Sequence, residues 1–303
     1  MSLIPFDDRD GLIWYNGDLV PWRDCTLHVL SHGLHYASCV FEGERIYGGE
    51  VFKLRAHSER LLNSARILDF EIPYGLDEIE AANRAVVEAM GIADGYVRPV
   101  AWRGSDMMGV SGQANRIHVA VAAWEWPAYF TPEARLRGIR MAISKWRRPA
   151  PDTAPTQSKA AGLYMICTLS KHAVEAEGYN DALMLDYRGR VAEATGANFF
   201  MVCDGALHTP TPDCFLDGIT RRTVIDLARQ RGIEVIERAI MPEELADAEE
   251  AFLTGTAVEV TPIREIGDYR FEVGEITRQL VADFDNLVSR DDKAAAAASA
   301  SAA

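Results

Sequence analysis

A chain of 303 residues with a formal net charge of −14 is long enough for one large or two smaller domains and too acidic for a nucleic-acid surface. Its 48% hydrophobic and 25% charged residues are ordinary for a globular protein. Five cysteines without C-x-x-C spacing fit a reduced compartment better than a disulfide frame or a zinc site. Residues 1–8 lack a signal-peptide pattern and no apolar run is long enough to span a bilayer, so a cytoplasmic protein without a membrane partner is expected.

In chain order, residues 14–21 read as two short strands around Asn16-Gly17, a pair that accepts the positive φ of a tight hairpin turn. Residues 27–43 mix His28, His32 and His35 with aromatics and glycines at no regular period, as a site-lining segment does. None of these histidines has a carboxylate or cysteine at ligand spacing, so no metal is expected. A short strand at 51–54 precedes a helix over 56–69, with Leu61, Leu62, Ala65 and Leu68 on its buried stripe. Arg60 lies at the edge of that stripe and can reach inward. A second amphipathic helix covers 76–90 and stops at Gly91. Strands follow at 95–102 and 116–124. Tyr96 and Arg98 are two apart and project from one face, a pairing that suits a carboxylate; a surface arginine is the plain alternative.

Residues 124–133 carry two prolines and no period, which marks an interdomain linker. It is placed at 128–135, between a small α+β domain over 1–127 and a large domain over 136–290 that carries Lys159. The second half opens with a strand at 139–144 and a proline-punctuated loop. A helix at 163–177, strands at 181–186 and 198–203, an Asp204-Gly205 turn and a helix at 219–231 come next. A strand at 234–239, a short helix after Pro242 and strands at 250–254 and 257–261 complete the series. This irregular mixture, with no Gly-x-Gly-x-x-Gly after a strand, favours α+β over a doubly wound sheet. The alanine- and serine-rich run over 291–303 reads as a disordered tail or an appended remnant.

Lys159 stands among small residues in Gln157-Ser158-Lys159-Ala160-Ala161-Gly162, with no acidic neighbour. Small neighbours let a bulky group approach the amine, as an imine-forming lysine requires, although a loop lysine taken alone is a surface lysine. Leu216-Asp217-Gly218-Ile219-Thr220 opens a helix whose first N–H groups suit an anion, phosphate above all. Leu253-Thr254-Gly255-Thr256-Ala257 is a second glycine turn flanked by hydroxyls. Glu193 sits in a run of small residues, where a carboxylate has little reason to be unless it meets a cation. An amine, two phosphate-compatible turns, an arginine and a carboxylate together describe pyridoxal 5′-phosphate, with the aldehyde on the lysine and the ring nitrogen on the carboxylate.

These segments also resemble, in order and spacing up to about residue 288, the branched-chain amino acid aminotransferases of the fold-type IV pyridoxal-phosphate enzymes. The matching stretches are His32-Gly33-Leu34-His35-Tyr36, Val40-Phe41-Glu42-Gly43, Arg60, Tyr96-Val97-Arg98-Pro99 and Met108-Gly109-Val110. They continue with Ser158-Lys159-Ala160, Tyr164, Glu193, Gly218-Ile219-Thr220-Arg221 and Gly255-Thr256-Ala257.

The resemblance implies a two-domain α+β architecture like that of D-amino-acid aminotransferase, and transamination between leucine, isoleucine or valine and 2-oxoglutarate. It makes Lys159 the catalytic residue, which binds the cofactor and moves a proton. Glu193 would hold the pyridine nitrogen and Tyr164 the ring oxygen. Arg60, Ile219, Thr220 and Thr256 would hold the phosphate, with Gly196 and Gly255 also among the cofactor-binding residues. The substrate carboxylate would meet Tyr96 and the Thr256-Ala257 turn, and Arg98 would take the distal carboxylate of glutamate. Tyr36, Phe41, Trp126 and Tyr129 would form an apolar cup, with Gly43 and Val110 also among the substrate-binding residues. Relatives of this kind pair as dimers and some as hexamers, so a homodimer or higher homo-oligomer acting on amino acids and 2-oxo acids is expected. A D-amino-acid or (R)-amine transaminase of the same fold, or a lyase such as the one acting on aminodeoxychorismate, are the alternatives. Three departures stand out: Ala37-Ser38-Cys39 after the tyrosine, Pro127 in the aromatic loop, and Arg103, which would add positive charge beside Met107-Met108.

Overall fold

The computed structural model describes residues 4–126 and 135–302, with side chains described up to residue 289. The chain divides into two compact units, Met1–Pro127 with Ser158–Gly162 and Val288–Ala303, and Ala128–Gln157 with Leu163–Leu287. The short segment bearing Lys159, assigned from sequence to the second domain, therefore belongs with the first unit. Most of the sequence-assigned linker, and Tyr129 within it, lies outside the described residues.

The first unit is built on a seven-stranded antiparallel sheet. Its strands are β1 (Leu12–Tyr15), β2 (Asp18–Pro21), β3 (Cys39–Phe41), β4 (Glu44–Tyr47), β5 (Glu50–Val51), β6 (Gly95–Arg103) and β7 (Ile117–Glu125), in the order β2-β1-β7-β6-β4-β5, with β3 also paired to β6. The β1–β2 hairpin turns on Asn16 and Gly17, at φ of 50° and 111°. Three helices belong here: α1 (His32–Tyr36), α2 (Leu54–Ile67) and α3 (Leu76–Met90). The strand expected at 51–54 is cut short because Lys53 takes a left-handed φ of 55° and starts α2. The aperiodic stretch around His32 holds one short helix and then β3. Leu61 of α2 and Ile79 and Val86 of α3 pack with Val97, Val119 and Val121 in one apolar core.

The second unit holds a nine-stranded mixed sheet. Its strands are β8 (Ile139–Ile143), β9 (Asp181–Leu185), β10 (Val191–Ala194), β11 (Asn198–Cys203), β12 (Ala206–Pro210), β13 (Val235–Arg238), β14 (Glu250–Gly255), β15 (Glu259–Ile266) and β16 (Tyr269–Arg270). The path runs β10-β9-β8-β15-β14-β11-β12-β13, and β10 pairs again with β11, so six of these strands close on themselves. The last expected strand begins later than residue 257, because Glu259 sits at a φ of 53° and residues 256–258 form the turn. In sequence, helix α4 (Tyr164–Glu175) lies between β8 and β9, and helix α5 (Ile219–Gln230) between β12 and β13. Met141, Leu183, Phe199, Met201, Leu253 and Ile263 form the core.

A final helix, α6 (Glu275–Ala302), runs on through the alanine-rich stretch that read as disordered or appended. Alanine is the strongest helix former, and extending an existing helix avoids the cost of nucleation. Among the described residues no helix is long and apolar enough to cross a membrane.

Phe200 and Phe252 stack face to face across β11 and β14, with ring centroids 5.0 Å apart and no exposure to solvent. Phe200→Ala should destabilise the protein by about 3–5 kcal/mol, measured from the shift of its urea unfolding midpoint.

Candidate active site

In the first unit the segment around Lys159 lies along β3. Ala160 bridges Val40, and the Phe41 N–H donates to the Lys159 carbonyl at 3.2 Å. From α2, Ser64 accepts the Lys159 N–H on its Oγ at 3.0 Å, and its carbonyl accepts the Ser158 hydroxyl at 2.9 Å. Both serines are buried, so water does not compete for these bonds. The lysine main chain is thus held on two sides, and its half-buried side chain places Nζ 5.1 Å from the Phe41 ring centroid. Arg98 stacks its guanidinium on the same ring at 4.6 Å and donates from Nη2 to the Tyr96 hydroxyl at 3.3 Å. A Cβ on Gly43 would collide with that hydroxyl, which is why β4 is preceded by glycine. Trp126 packs on Tyr96 at 5.6 Å between ring centroids. The structure therefore gathers Phe41, Gly43, Tyr96, Arg98, Trp126 and Lys159. Tyr36 packs on His32 at 4.6 Å, and Val110, 86% exposed, stands outside the gathering.

Next to Phe41 in the chain, Glu42 centres a charged cluster in which the sequence reading gave a role to Arg60 alone. Glu42, fully buried, accepts from Arg60 Nε at 2.6 Å, Arg60 Nη2 at 2.8 Å and His57 Nδ1 at 2.7 Å. Burial alone would raise the Glu42 carboxyl, but the Arg60 charge and these hydrogen bonds outweigh it and hold the group well below the usual carboxylate range. His57 is pushed down by burial despite Glu42, so it donates as a neutral imidazole. Glu44, two residues on, is also fully buried, and neither of its oxygens has a hydrogen-bond partner among the described residues. Burial and then the Glu42 charge push its carboxyl well above the ordinary value of 4.5, which keeps it protonated.

The positive charge that Arg103 was expected to add near the Met107-Met108 loop is not at the surface. Arg103 is buried, stacks on Phe70 at 5.3 Å and donates to the Gly112 carbonyl at 3.0 Å. Asn115 bonds both the N–H and the carbonyl of Met107, at 2.7 and 3.2 Å, and His32 Nε2 reaches the Gly109 carbonyl at 2.9 Å. The loop is fastened from beneath by three buried side chains.

In the second unit, Glu193 of β10, Asn198 of β11 and Thr254 of β14 are opposite one another in register, so their side chains share a face. Asn198 Nδ2 donates to Glu193 Oε2 at 3.3 Å and to the Leu216 carbonyl at 3.0 Å. Buried Arg148 sets its Nε 3.3 Å from Glu193 Oε1. Burial opposes the Arg148 charge, yet the charge of Glu193, helped by lesser contributions, outweighs it and raises the guanidinium above its ordinary value; Tyr164 opens α4. Gly218 caps α5, where a Cβ would collide with Asn198 Oδ1. Ile219 and Thr220 then supply N–H groups that a helix leaves without intrahelical partners. Arg221 locks this helix start, donating to Asp217 at 2.8 Å and Glu237 at 2.7 Å. The turn of Gly255, Thr256 and Ala257 packs on the turn of Gly196, since a Cβ on Gly255 would lie 3.3 Å from the Gly196 carbonyl. Buried Thr254 Oγ1 has no hydrogen-bond partner among the described residues. Elsewhere Asp186, Asp213 and Cys214 cluster closely enough for a cation, but Arg188 already bonds both aspartates, at 2.8 and 2.6 Å.

Residues 39–266 match the family described as amino-transferase class IV. The chain belongs to the class IV aminotransferases. It is 42% identical over 289 residues to a branched-chain-amino-acid aminotransferase of Pseudomonas aeruginosa, covering 93% of this chain and 94% of that one. The crystal structure of an Escherichia coli branched-chain amino acid aminotransferase superposes with a TM-score of 0.89 at 38% identity, over 92% of this chain and 95% of its own. A branched-chain amino acid aminotransferase from T.th., complexed with N-(5′-phosphopyridoxyl)-L-glutamate, gives a TM-score of 0.87 at 38% identity, over 92% and 94% of the two chains.

Within this class IV aminotransferase, sequence reasoning missed Arg148, Glu42, His57 and Glu44. Only the fold shows that Arg148 points inward onto Glu193. Glu44 offers a test of the buried cluster. Its unfolded form ionises near the ordinary 4.5 while its folded form keeps the proton, so the folded state binds more protons and stability falls as pH rises above that value. Glu44→Gln removes this loss. Its stability advantage over wild type, read from urea midpoints, should be larger at about pH 7.5 than at about pH 5; an advantage that does not grow with pH would refute a neutral Glu44.

Proposed function

We propose that this class IV aminotransferase exchanges the amino group between branched-chain L-amino acids (leucine, isoleucine, valine) and 2-oxoglutarate, with pyridoxal 5′-phosphate as cofactor. The carrying observation is the pair of cations on one aromatic ring: Lys159 Nζ and the Arg98 guanidinium lie 5.1 and 4.6 Å from the Phe41 centroid. A reactive amine beside an apolar ring suits a branched side chain, and an arginine a short distance away suits the distal carboxylate of glutamate. Arg98 Nε is buried without a hydrogen-bond partner among the described residues, so it has capacity for such an acceptor. The names of the relatives support the same reading, and one of them is complexed with a phosphopyridoxyl derivative of L-glutamate.

The donor set fits the cofactor. Lys159 offers the amine for the aldehyde, and Glu193, paired with Arg148, offers an acceptor for a protonated ring nitrogen. Tyr164 donates to the ring oxygen. Arg60, the Ile219 and Thr220 N–H groups and Thr256 bind the phosphate, with Gly196 and Gly255 leaving the backbone accessible. When bound, the cofactor draws electrons from the substrate Cα and so weakens its C–H bond. Lys159 Nζ takes that proton and returns it on the cofactor side. Tyr96 and the Thr256-Ala257 turn hold the substrate carboxylate, and Phe41 and Trp126 exclude water around the side chain, with Gly43 beside them.

The chain also forms a homodimer in this reading. Val29 and Leu34 are 69% and 65% exposed, and Met107 and Met108 49% and 45%, and the His32–Gly109 bond links the two segments that carry these exposed apolar side chains. Sedimentation equilibrium should return about twice the 33.5 kDa chain mass. Five unbridged cysteines support a reducing, cytoplasmic setting.

The purified protein should absorb in the visible through its bound cofactor, bleach with L-leucine or L-glutamate and recover with 2-oxoglutarate. Lys159→Ala should abolish the cycle. Arg98→Met should raise KM for 2-oxoglutarate about 10-fold or more while changing that for L-leucine far less. Bleaching by D-alanine or an (R)-amine alone would move the substrate class, and a protein that takes up no cofactor would end the reading.

A further inference from the structure

Arg60 meets the buried carboxylate of Glu42 side-on, through Nε at 2.6 Å and Nη2 at 2.8 Å. A two-point contact of this kind fixes the plane of a guanidinium as well as its position. Glu42 is held in turn by His57 Nδ1 at 2.7 Å and by the Gly43 N–H at 3.3 Å, and its own N–H donates to the Pro99 carbonyl at 2.8 Å. His57 and Arg60 are three apart on α2 and so reach Glu42 from one helix face. Burial grades outward along this chain of contacts: Glu42 is 0%, His57 2% and Arg60 14% exposed at the side chain.

Stability is a poor reason for such an arrangement. Withdrawing an ion pair from water costs several kcal/mol per ion, and well-packed apolar residues often serve a core as well or better. Orientation is a better one, because a fork turned by even a small angle loses an anion that it must meet at two points. We propose that Glu42 and His57 are positioning residues for Arg60, holding its guanidinium plane so that it binds the phosphate of pyridoxal 5′-phosphate. This rests on the cofactor reading above and adds to it two residues that touch neither cofactor nor substrate.

The test compares equilibrium binding of pyridoxal 5′-phosphate and of pyridoxal, which lacks the phosphate, to the full-length protein. The ratio of the two dissociation constants isolates the phosphate contacts. Glu42→Ala should reduce the wild-type preference for the phosphorylated form by about 10- to 100-fold, the range for a lost hydrogen bond to a charged group, while pyridoxal binding changes by less than about 3-fold. His57→Ala should act in the same direction and more weakly. His57→Asn, which keeps an N–H donor near the Nδ1 position, should restore the ratio to within about 3-fold of wild type. The phosphorus-31 resonance of the bound cofactor should shift in Glu42→Ala and return in His57→Asn. Should Glu42→Ala fail to fold, Glu42→Gln keeps the shape and one acceptor oxygen and reads the same ratio. If the Glu42 variants weaken both ligands equally, or leave the ratio unchanged, the positioning role is overturned while the cofactor reading stands. A wild-type protein that binds pyridoxal as tightly as its phosphate would overturn the phosphate role of Arg60 and the proposal with it.

Discussion

A carboxylate taken wholly out of water must be surrounded by donors, and Glu42 imposes that condition on the first unit. Its partners Arg60 and His57 both come from α2, so satisfying it sets the rotation of that helix against the β3–β4 connection. The same helix face carries Ser64, one turn beyond Arg60, whose hydroxyl and carbonyl hold the main chain of Lys159 and Ser158. One stripe of α2 at positions 57, 60 and 64 therefore disposes both a cation and the backbone of the reactive lysine. Leu61 and Ala65, on the flank of that stripe, anchor it in the apolar core.

The two units handle buried charge in the same way. In the second, Arg148 stands against Glu193, and Asn198 ties that glutamate to the carbonyl of Leu216, just before α5. Glu193, Asn198 and Thr254 fall in line because β10 pairs with both β9 and β11, so closure of the six strands brings the residue between two small alanines to a place where a cation waits. Glu44 is the exception that clarifies the rule. With no ion-pair partner among the described residues and Glu42 beside it, its carboxyl is pushed well above the ordinary value, and the cluster as a whole keeps its charges balanced.

Glycine is needed where two chains must come closer than a side chain allows. Gly43 admits the Tyr96 hydroxyl, and Gly218 admits the Asn198 amide; in each, a Cβ would occupy the space of a polar atom that takes part in the site. The loop over 107–112 shows the complementary device. His32, Arg103 and Asn115 bond its backbone from below, which leaves Met107, Met108 and Val110 facing outward. Fixed backbone under exposed apolar side chains is what a contact surface requires.

The sequence by itself determined the local elements and the chemistry on offer. Asn16-Gly17 and Asp204-Gly205 set hairpins because few other pairs tolerate two positive φ angles, and the apolar period of α2 and α3 set the helices. The two-residue alternation was enough to put Tyr96 and Arg98 on one face. Small neighbours marked Lys159 and Glu193, and glycine beside hydroxyls marked the two turns. What it did not contain was which distant residues meet. Arg148 lies 45 positions from Glu193, and Ser64 lies 95 from Lys159, so their contacts depend on strand order and on the face of a helix rather than on any local period. The membership of Lys159 in the first unit has the same origin, since β3 and α2, both far upstream, hold its main chain. Buried ionisable groups such as Glu42, His57 and Glu44 look like surface residues in a sequence, and only the tertiary structure, by excluding water from them, turns each into a group that must be paired or neutral.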